Sequence, residues 1–369
     1  MKITVITSPF GALPPVAIGA VEKLFYSLAG AWIERGHEVC FICAGGGNNE
    51  SINHIRLKRY VRSRSTKKDL IWDFIYSIKA LWKCQRTDIL LCNTFWSPFL
   101  APLFRWKYKC LIYGVHRYPK GQFFLYPFVH MFICVSTVVA EALKNELRYK
   151  APIVVVNNPI DVEVFKETLS ESNEVNQAVV ISYAGRIHPE KGIDTLIGAC
   201  EVLSLMRPVT LRLIGAWDVD NGGGGREYVS SLNSQVKKVK VELEGPIYDP
   251  VEMARLLRKS SVFVYPSVAE KGETFGVAPL EAMGLGLPVV LSDLKCFGDY
   301  AQNNINCVQY EKGECAVEKC AAAIEKILDD VAFAASIKRE AAITAKKFAV
   351  DLIADEYIVM FEKAIHNSI

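Results

Sequence analysis

The sequence has no uninterrupted apolar run of about 18 or more residues, so we expect no membrane-spanning helix. Residues 1–8 (MKITVITS) are too short for a signal peptide and predict a buried first strand. The GxGxxG spacing of dinucleotide-binding turns is also missing after this strand. Its absence argues against a nicotinamide-dependent dehydrogenase.

Paired or metal-binding cysteines are not expected either. The eleven cysteines are odd in number, scattered, and mostly placed inside apolar runs. Cys40 and Cys43 form a CxxC, but they lie in a predicted strand, where positions i and i+3 point to opposite faces. We therefore predict reduced, buried thiols in a cytoplasmic protein, and no metal site.

What the sequence does contain is enough apolar material for two cores. Hydrophobic residues make up 51% of its 369 residues, which excludes intrinsic disorder and predicts two domains. Residues 1–150 hold 21 Lys and Arg against 9 Asp and Glu, whereas the remainder holds 22 against 31. This asymmetry indicates that the first half faces something anionic.

Strand-like apolar runs alternate with amphipathic segments along the chain, which predicts doubly wound parallel sheets in an α/β protein. We place one domain at 1–165, a polar linker at 166–177 (KETLSESNEVNQ) and a second domain at 178–348. Alanine-rich helices are predicted at about 317–347 and 351–364. The last one, within 349–369, has an apolar face that must pack on something.

Because parallel sheets bind ligands beyond the carboxyl ends of their strands, the loops that follow strands are the candidate sites. Gly19 lies between the first strand and an amphipathic helix, where backbone N–H groups approach a phosphate. A plain structural turn explains this glycine equally well.

The second domain opens with VVISYAGRIHPEKGIDTL, in which Arg186 and Lys191 flank a loop between a strand and a helix. A forked guanidinium and an ammonium at a helix entrance suit a diphosphate. The alternative is a pair of solvated surface charges.

The segment ETFGVAPLEAMG places Glu273 in a loop and Glu281 about two turns into a helix that begins near Gly276. The N–H groups of Phe275, Gly276 and Val277 would form an anion site at the helix start. A Glu281 carboxylate in this otherwise apolar helix needs polar partners, such as the hydroxyls of a ribose.

Taken together, these motifs resemble glycosyltransferase family 4. The matching stretches are GAVE, RGHEV, NNPID with Phe165, GRIHPEKG and ETFGVAPLEAMGLGLPVV, over residues 1 to about 350. The resemblance implies a GT-B fold of two Rossmann-like domains facing across a cleft. It also implies an acceptor-binding first domain, a nucleotide-sugar-binding second domain and a C-terminal helix that returns to the first.

The resemblance further implies a retaining, metal-independent hexosyltransferase-type enzyme with no protein nucleophile. In it Arg186 and Lys191 neutralise the leaving diphosphate, and Glu273 lies at the donor sugar. His116 resembles the first-domain histidine near the reacting sugar, although a core histidine is the alternative. The donor-binding positions that it implies are Gly19, Gly245, Ile247, Phe275, Gly276, Val277 and Glu281. Two departures are Ala20 in place of the second glycine of the first loop and the charged Glu270–Lys271 pair before the E-x7-E.

The expected donor is a UDP-sugar and the expected acceptor a lipid-linked or surface polysaccharide. Alternatives are a soluble sugar or sugar-phosphate acceptor, or a noncatalytic nucleotide-sugar-binding protein. The basic run at 56–68 (RLKRYVRSRSTKK) precedes Ile71, Trp72, Phe74 and Ile75. We predict either peripheral contact with an anionic membrane, at the inner face of the plasma membrane, or a solvated face. Nucleic acid is not expected, since no recognised binding module accompanies the run.

Two further patterns are interpreted as structural, the first as a solvated loop and the second as a turn. Asp218 and Asp220 spell the DxD of metal-dependent transferases, but they lie in a loop rich in glycine. Gly45, Gly46 and Gly47 follow the second strand rather than the first. Neither is predicted to bind a metal or a cofactor.

Overall fold

The structure, a computed structural model, describes residues 1–13, 19–45, 52–63, 65–167 and 179–366. The chain forms two compact units, one of Met1–Pro159 with Val350–Ile369 and one of Ile160–Ala349. The boundary lies six residues before the predicted end of the first domain, because Phe165 is buried within the second unit. Positions 166 and 167 of the predicted linker end a helix, and 168–177 lie outside the described residues.

The first unit is built on a seven-stranded parallel sheet of order β3-β2-β1-β4-β5-β6-β7. Its strands are β1 (Lys2–Ile6), β2 (Glu38–Ala44), β3 (Asn53–Leu57), β4 (Thr87–Cys92), β5 (Tyr108–Val115), β6 (Met131–Cys134) and β7 (Ile153–Val155). Its helices up to Pro159 are α1 (Ala20–Glu34), α2 (Thr66–Lys83), α3 (Ser97–Leu100) and α4 (Thr137–Glu146), with 3₁₀ turns at Ala101–Lys107 and Phe123–Leu125. The central strands are covered on both faces, which is why they are nearly continuous apolar runs.

The second unit has a six-stranded parallel sheet of order β10-β9-β8-β11-β12-β13. Its strands are β8 (Val179–Ala184), β9 (Val209–Ile214), β10 (Lys240–Gly245), β11 (Val262–Tyr265), β12 (Val289–Ser292) and β13 (Val308–Tyr310). Its helices are α5 (Val162–Glu167), α6 (Ile193–Leu203), α7 (Gly225–Gln235), α8 (Pro250–Arg258), α9 (Val277–Gly284), α10 (Ala316–Asp329) and α11 (Val331–Lys346), with 3₁₀ turns at Pro189–Lys191, Val219–Asn221 and Lys295–Phe297.

The last helix, α12 (Val350–His366), packs within the first unit against α1. The indole of Trp32 donates a hydrogen bond to the carbonyl of Ala354, at 3.2 Å, and contacts the rings of Tyr357 and Phe361. Arg35 at the end of α1 forms ion pairs with Asp351 and Asp355. The apolar face predicted for this helix is thus buried on the first unit.

Three sequence-based assignments are corrected. The edge strands β3 and β13 were not predicted, because β3 is polar and half-exposed and β13 has only three residues. The single helix expected at 317–347 is divided at Asp330, whose carboxylate accepts a hydrogen bond from the Phe333 N–H and so caps α11. No helix among the described residues is long and apolar enough to cross a membrane, as expected.

The strand order fixes where ligands bind. In the second unit β8 lies between β9 and β11, so the connections leaving β8 and β11 diverge to opposite sides of the sheet. The crevice between their carboxyl ends is therefore the natural binding point. In the first unit β1, between β2 and β4, has the same position.

Candidate active site

The loop that follows β8 carries Arg186 and places its guanidinium between two acceptors. One Nη atom donates to the carbonyl of Gly222, at 2.7 Å, and the other forms an ion pair with Glu190, four residues along the chain. The Arg186 side chain is 44% exposed. It is thus a cation at the surface of the crevice whose orientation is set by the 217–225 loop and by Glu190.

Lys191 lies in the same loop but is buried. Its Nζ atom is 2.6 Å from Oε2 of Glu273 and donates to the hydroxyl of Tyr265 at 3.3 Å. Tyr265 in turn donates to the same Glu273 oxygen at 2.9 Å. The three side chains form a closed triangle that joins the loop after β8 to the loop after β11.

Two stacked tyrosines lie beneath both cations. The rings of Tyr183 and Tyr265 are 5.5 Å apart and nearly parallel. Tyr265 ends β11, and Tyr183 is the last residue but one of β8. The Tyr183 hydroxyl donates to the main-chain carbonyl of Arg186, at 2.9 Å. Burial, then the Glu273 charge, raises the pKa of both phenols well above the ordinary value, so both remain hydrogen-bond donors.

The helix α9 begins immediately after Gly276 and has no side-chain cap. Gly276 has φ 80°, and a Cβ there would lie 2.5 Å from the ring of Phe297, so only glycine fits. Phe275 is buried against Tyr300. Since the first N–H groups of a helix have no intrahelical acceptor, those of the first turn, from Val277 onward, are available to an anion.

Glu281 is the fifth residue of α9, which places it in the second turn rather than about two turns along. The helix buries Pro279, Leu280, Ala282 and Met283, and leaves Val277, Ala278 and Glu281 half-buried. Positions 277, 278 and 281 share one face of the helix. Glu281 therefore lies on the same side as the uncapped first turn.

Gly245 ends β10 and Ile247 follows it, at the same sheet edge as Arg186. The Gly245 carbonyl accepts a hydrogen bond from the Gly215 N–H at 2.8 Å, and Gly185 N–H donates to Ile214 at 2.9 Å. Gly245 and Ile247 are both half-buried. The donor-side residues predicted for the second unit thus all lie at or beyond the carboxyl ends of its strands β8, β10 and β11, whereas Gly19 and His116 lie in the first unit.

In the first unit, Gly19 and the buried Glu22 form the start of α1. Gly19 has φ 153°, and a Cβ at this position would lie 2.8 Å from a carboxylate oxygen of Glu22. The same carboxyl group also lies against Gly11. Burial raises the pKa of Glu22, and its backbone hydrogen bond, Arg117 and Arg62 oppose this shift. The neighbouring residues 14–18 lie outside the described part of the chain.

His116 follows β5 and packs edge-on against Phe25 of α1, with ring centroids 5.1 Å apart. Burial, reinforced by the Arg117 guanidinium, lowers the pKa of His116 to about 3. The imidazole is therefore neutral at physiological pH and does not act there as a proton donor in its charged form.

Four site residues were missed by sequence reasoning: Tyr183, Glu190, Gly222 and Tyr265. The two tyrosines lie at or next to the ends of apolar strands, and nothing in such a run distinguishes a core tyrosine from one that supports a site. Glu190 stands in the GRIHPEKG stretch, four residues after Arg186, and that spacing was a usable signal.

The structure describes the Asp218–Asp220 loop, which was interpreted as solvated, and only part of the Gly45–Gly47 turn. Asp218 caps the Val219–Asn221 turn, accepting from the N–H and side-chain amide of Asn221 at 2.8 and 3.0 Å. Its side chain thus has a local structural role. Gly46 and Gly47 lie outside the described residues. No disulfide joins any of the eleven cysteines, and only Cys315 among them is exposed.

The fold is that of an α/β protein whose second sheet places Arg186 and the uncapped start of α9 beyond the neighbouring strands β8 and β11. Two protein-family profiles match this chain. The profile "Glycosyltransferase Family 4" matches residues 20–164, and the profile "Glycosyl transferases group 1" matches residues 162–344. The chain belongs to this glycosyltransferase family, as its motifs predicted.

Relatives and solved structures agree with this assignment. An uncharacterized glycosyltransferase of Methanocaldococcus jannaschii is 25% identical over 99% of both chains. The lipopolysaccharide 1,2-N-acetylglucosaminetransferase of Salmonella typhimurium is 24% identical over 79% of this chain and 80% of that protein. The structure of Anabaena Alr3699/HepE with UDP and glucose matches with a TM-score of 0.75 and 19% identity, over 98% of this chain and all of the other. The GT-B fold is thereby confirmed.

Proposed function

We propose that the chain transfers a sugar, with retention, from a nucleotide diphosphate-sugar, in the simplest case a UDP-sugar, to a lipid-linked or surface-polysaccharide acceptor. The observation that carries the donor side is the convergence of Arg186, Lys191 and the uncapped first turn of α9 at one sheet edge. Three independent sources of positive potential suit a diphosphate better than any neutral ligand.

The residues also account for the chemistry without a protein nucleophile. The bond between the anomeric carbon and the diphosphate breaks, and its electron pair leaves with the diphosphate. The acceptor oxygen bonds to the same face of that carbon, and its proton passes to a departing phosphate oxygen. Arg186 and Lys191 stabilise the charge that develops, in place of a metal ion. Before the donor binds, Glu190 and Glu273 neutralise these cations.

The acceptor side is supported by relatives. The Salmonella protein's name concerns lipopolysaccharide, and the CapM glycosyltransferase of Staphylococcus aureus, named for capsular polysaccharide biosynthesis, is 26% identical over 64% of this chain and 63% of that protein. A bacterial envelope glycan assembled at the cytoplasmic face of a membrane is consistent with both names. We therefore propose action at that face.

Thermal unfolding in the presence of UDP-, GDP- and ADP-sugars tests the donor. A ligand at about 100 times its Kd stabilises the folded state by about 2.7 kcal/mol, which is easily measured. We expect stabilisation by a UDP-sugar in the wild type and a smaller stabilisation, at the same concentration, in Arg186→Gln. The matched control Arg339→Gln, an exposed arginine of the same unit, should respond like wild type.

Transfer assays then separate the acceptors, with the anomeric configuration of the product determined by NMR. Transfer to lipid-linked glycan with retention supports the proposal. Transfer only to a soluble sugar phosphate would show that the acceptor is soluble and not lipid-linked. An inverted product would exclude the retaining mechanism. Binding of the nucleotide-sugar without transfer to any acceptor would indicate a noncatalytic nucleotide-sugar-binding protein.

A further inference from the structure

One surface of the first unit is exposed, apolar and aromatic, and the donor chemistry does not use it. It is formed by one side of α2 and by residues 97–107, and we refer to it as the α2 face. On α2 the exposed apolar side chains recur at helical spacing: Ile71, Phe74, Ile78 and Trp82. The 97–107 segment adds Phe99, Leu103 and Trp106. Trp82 is 73% exposed and Trp106 is 64% exposed.

The two parts of the α2 face form one continuous surface. Phe74 and Phe99 both pack edge-on against Trp96, at 5.4 and 5.7 Å. Trp82 and Trp106 both contact Phe104, at 6.5 and 5.8 Å. Scattered exposed apolar residues need no explanation, but a contiguous patch of this kind marks an interaction site.

Hydrogen bonds beneath the surface hold it in place. The buried carboxylate of Asp73 accepts from the N–H groups of Phe95 and Trp96, at 3.4 and 3.0 Å. The Trp96 indole donates to the carbonyl of Leu70 at 2.9 Å, and Lys107 donates to the carbonyl of Leu81 at 3.1 Å. The exposed rings are therefore presented on a fixed backbone.

The charge around these rings is positive. Residues 66–107 contain seven Lys and Arg against three Asp, and no Glu. Of the three aspartates, Asp73 is buried and Asp88 forms an ion pair with Lys109. The exposed residues of α2 include four lysines: Lys67, Lys68, Lys79 and Lys83.

We propose that the α2 face docks on an anionic lipid bilayer, with its aromatic and aliphatic side chains among the head groups and its lysines at the phosphates. Tryptophan favours the membrane–water interface, and clustered lysines are attracted to anionic lipid. Lysine is depleted at protein–protein interfaces, so its density here favours a bilayer over a protein partner. This inference deepens the proposed action at a membrane face, and it is independent of the donor site because it stands on the exposed surface.

The α2 face overlaps only in part with the region to which the sequence pointed, since Ile71 and Phe74 belong to both. Trp72, which follows the basic run, is stacked on Tyr60 with ring centroids 4.8 Å apart. Within the run, Arg59 donates to the carbonyl of Phe10 and Arg62 lies over the Phe10 ring. Arg64 lies outside the described residues. The largest exposed rings belong instead to Trp82 and Trp106.

Flotation of the full-length protein with vesicles tests the proposal. We expect binding to an equal mixture of phosphatidylcholine and phosphatidylglycerol and none to phosphatidylcholine alone. Replacing Trp82, Leu103 and Trp106 by Gln should lower the partition coefficient about tenfold or more. The matched control replaces three equally exposed apolar residues of the second unit by Gln: Leu205, Met206 and Val331. This control should bind like wild type.

A second pair of measurements defines the contact. Quenching of tryptophan fluorescence by brominated lipid should fall in the Trp82→Gln/Trp106→Gln variant. Changing the four α2 lysines to Gln should weaken binding at low salt and leave it nearly independent of salt.

Three results would overturn the inference. They are a wild type that floats with neither vesicle, a triple variant that binds as well as wild type, and a concentration-dependent dimer that the triple variant abolishes. Thermal shift with the UDP-sugar, measured without vesicles, tests the donor chemistry separately. Failed flotation would remove the proposed membrane contact and leave the donor assignment standing, whereas a missing thermal shift would remove the donor assignment and leave the docking surface standing.

Discussion

Lys191 and Glu273 form an ion pair of 2.6 Å, and their side chains are only 6% and 11% exposed. The pair connects the loops that follow the two central strands of the second sheet. If a diphosphate binds here, the Lys191 ammonium must contact the diphosphate and the Glu273 carboxylate at the same time. Replacing either residue is therefore expected to change both the stability of the second unit and its activity.

The diphosphate site is tested by Arg186→Gln. Its guanidinium is exposed and contributes little to packing, so the variant should fold normally. Removal of one charge that stabilises the departing diphosphate should lower kcat about a hundredfold. Initial rates at saturating donor measure this, with Arg339→Gln as control. Near-normal turnover in an Arg186→Gln/Lys191→Met double variant would exclude the assignment.

Lys191 should behave differently from Arg186. Lys191→Met leaves Glu273 buried without its cation, which should lower the free energy of unfolding by about 3 kcal/mol. The Lys191→Met/Glu273→Gln variant removes both charges and should recover most of that stability but none of the activity. Urea unfolding and turnover, measured together, separate these two effects. Equal stability of Lys191→Met and wild type would contradict the buried ion pair.

Tyr265 is predicted to position Lys191 and Glu273. Tyr265→Phe keeps the ring stacked on Tyr183 but removes the hydroxyl that contacts both side chains. We expect a fall in kcat of about tenfold, with a smaller change in stability of about 1 kcal/mol. Tyr76→Phe is the matched control, since its buried hydroxyl donates to the Ile42 carbonyl in the other unit. If both variants lose the same activity, the effect is on folding rather than on position.

Metal dependence is a separate test of the charge-stabilisation scheme. With Arg186 and Lys191 supplying the positive charge, transfer should continue in excess EDTA. Asp218→Asn should have little effect on the rate, because its carboxylate caps a local turn. Loss of activity on chelation that manganese restores would instead assign the chemistry to Asp218 and Asp220.

His116 should make stability sensitive to acid. Its pKa is about 3 in the folded chain and 6.5 in the unfolded chain, so only the unfolded chain gains a proton as the pH falls below 6.5. Between those values wild type should lose up to about 1.4 kcal/mol per pH unit relative to His116→Asn, and nothing above pH 6.5. Chemical unfolding at several pH values gives the difference. His366→Asn, an exposed histidine at the end of α12, should run parallel to wild type.

The sequence by itself determined the two parallel sheets and most of the residues at the donor-side sheet edge. Apolar runs such as KITVI and VVISYA are continuous because their strands are buried on both faces, and a strand followed by a loop and a helix can only place its loop at the sheet edge. That reasoning placed Arg186, Glu273 and Glu281 where the structure has them. It did not find β13, whose three residues carry too little pattern.

Tertiary structure alone decided which side chains meet. Lys191 and Glu273 are 82 residues apart in sequence, and no local spacing relates them to each other or to Tyr265. Exposure was decided in the same way: Trp72, which stacks on Tyr60, is 37% exposed, whereas Trp82 is 73% exposed, although both belong to α2. A pattern assigns a residue to a strand or a helix, but the contacts between elements that are distant in sequence are set only when the sheets form and bring their edges together.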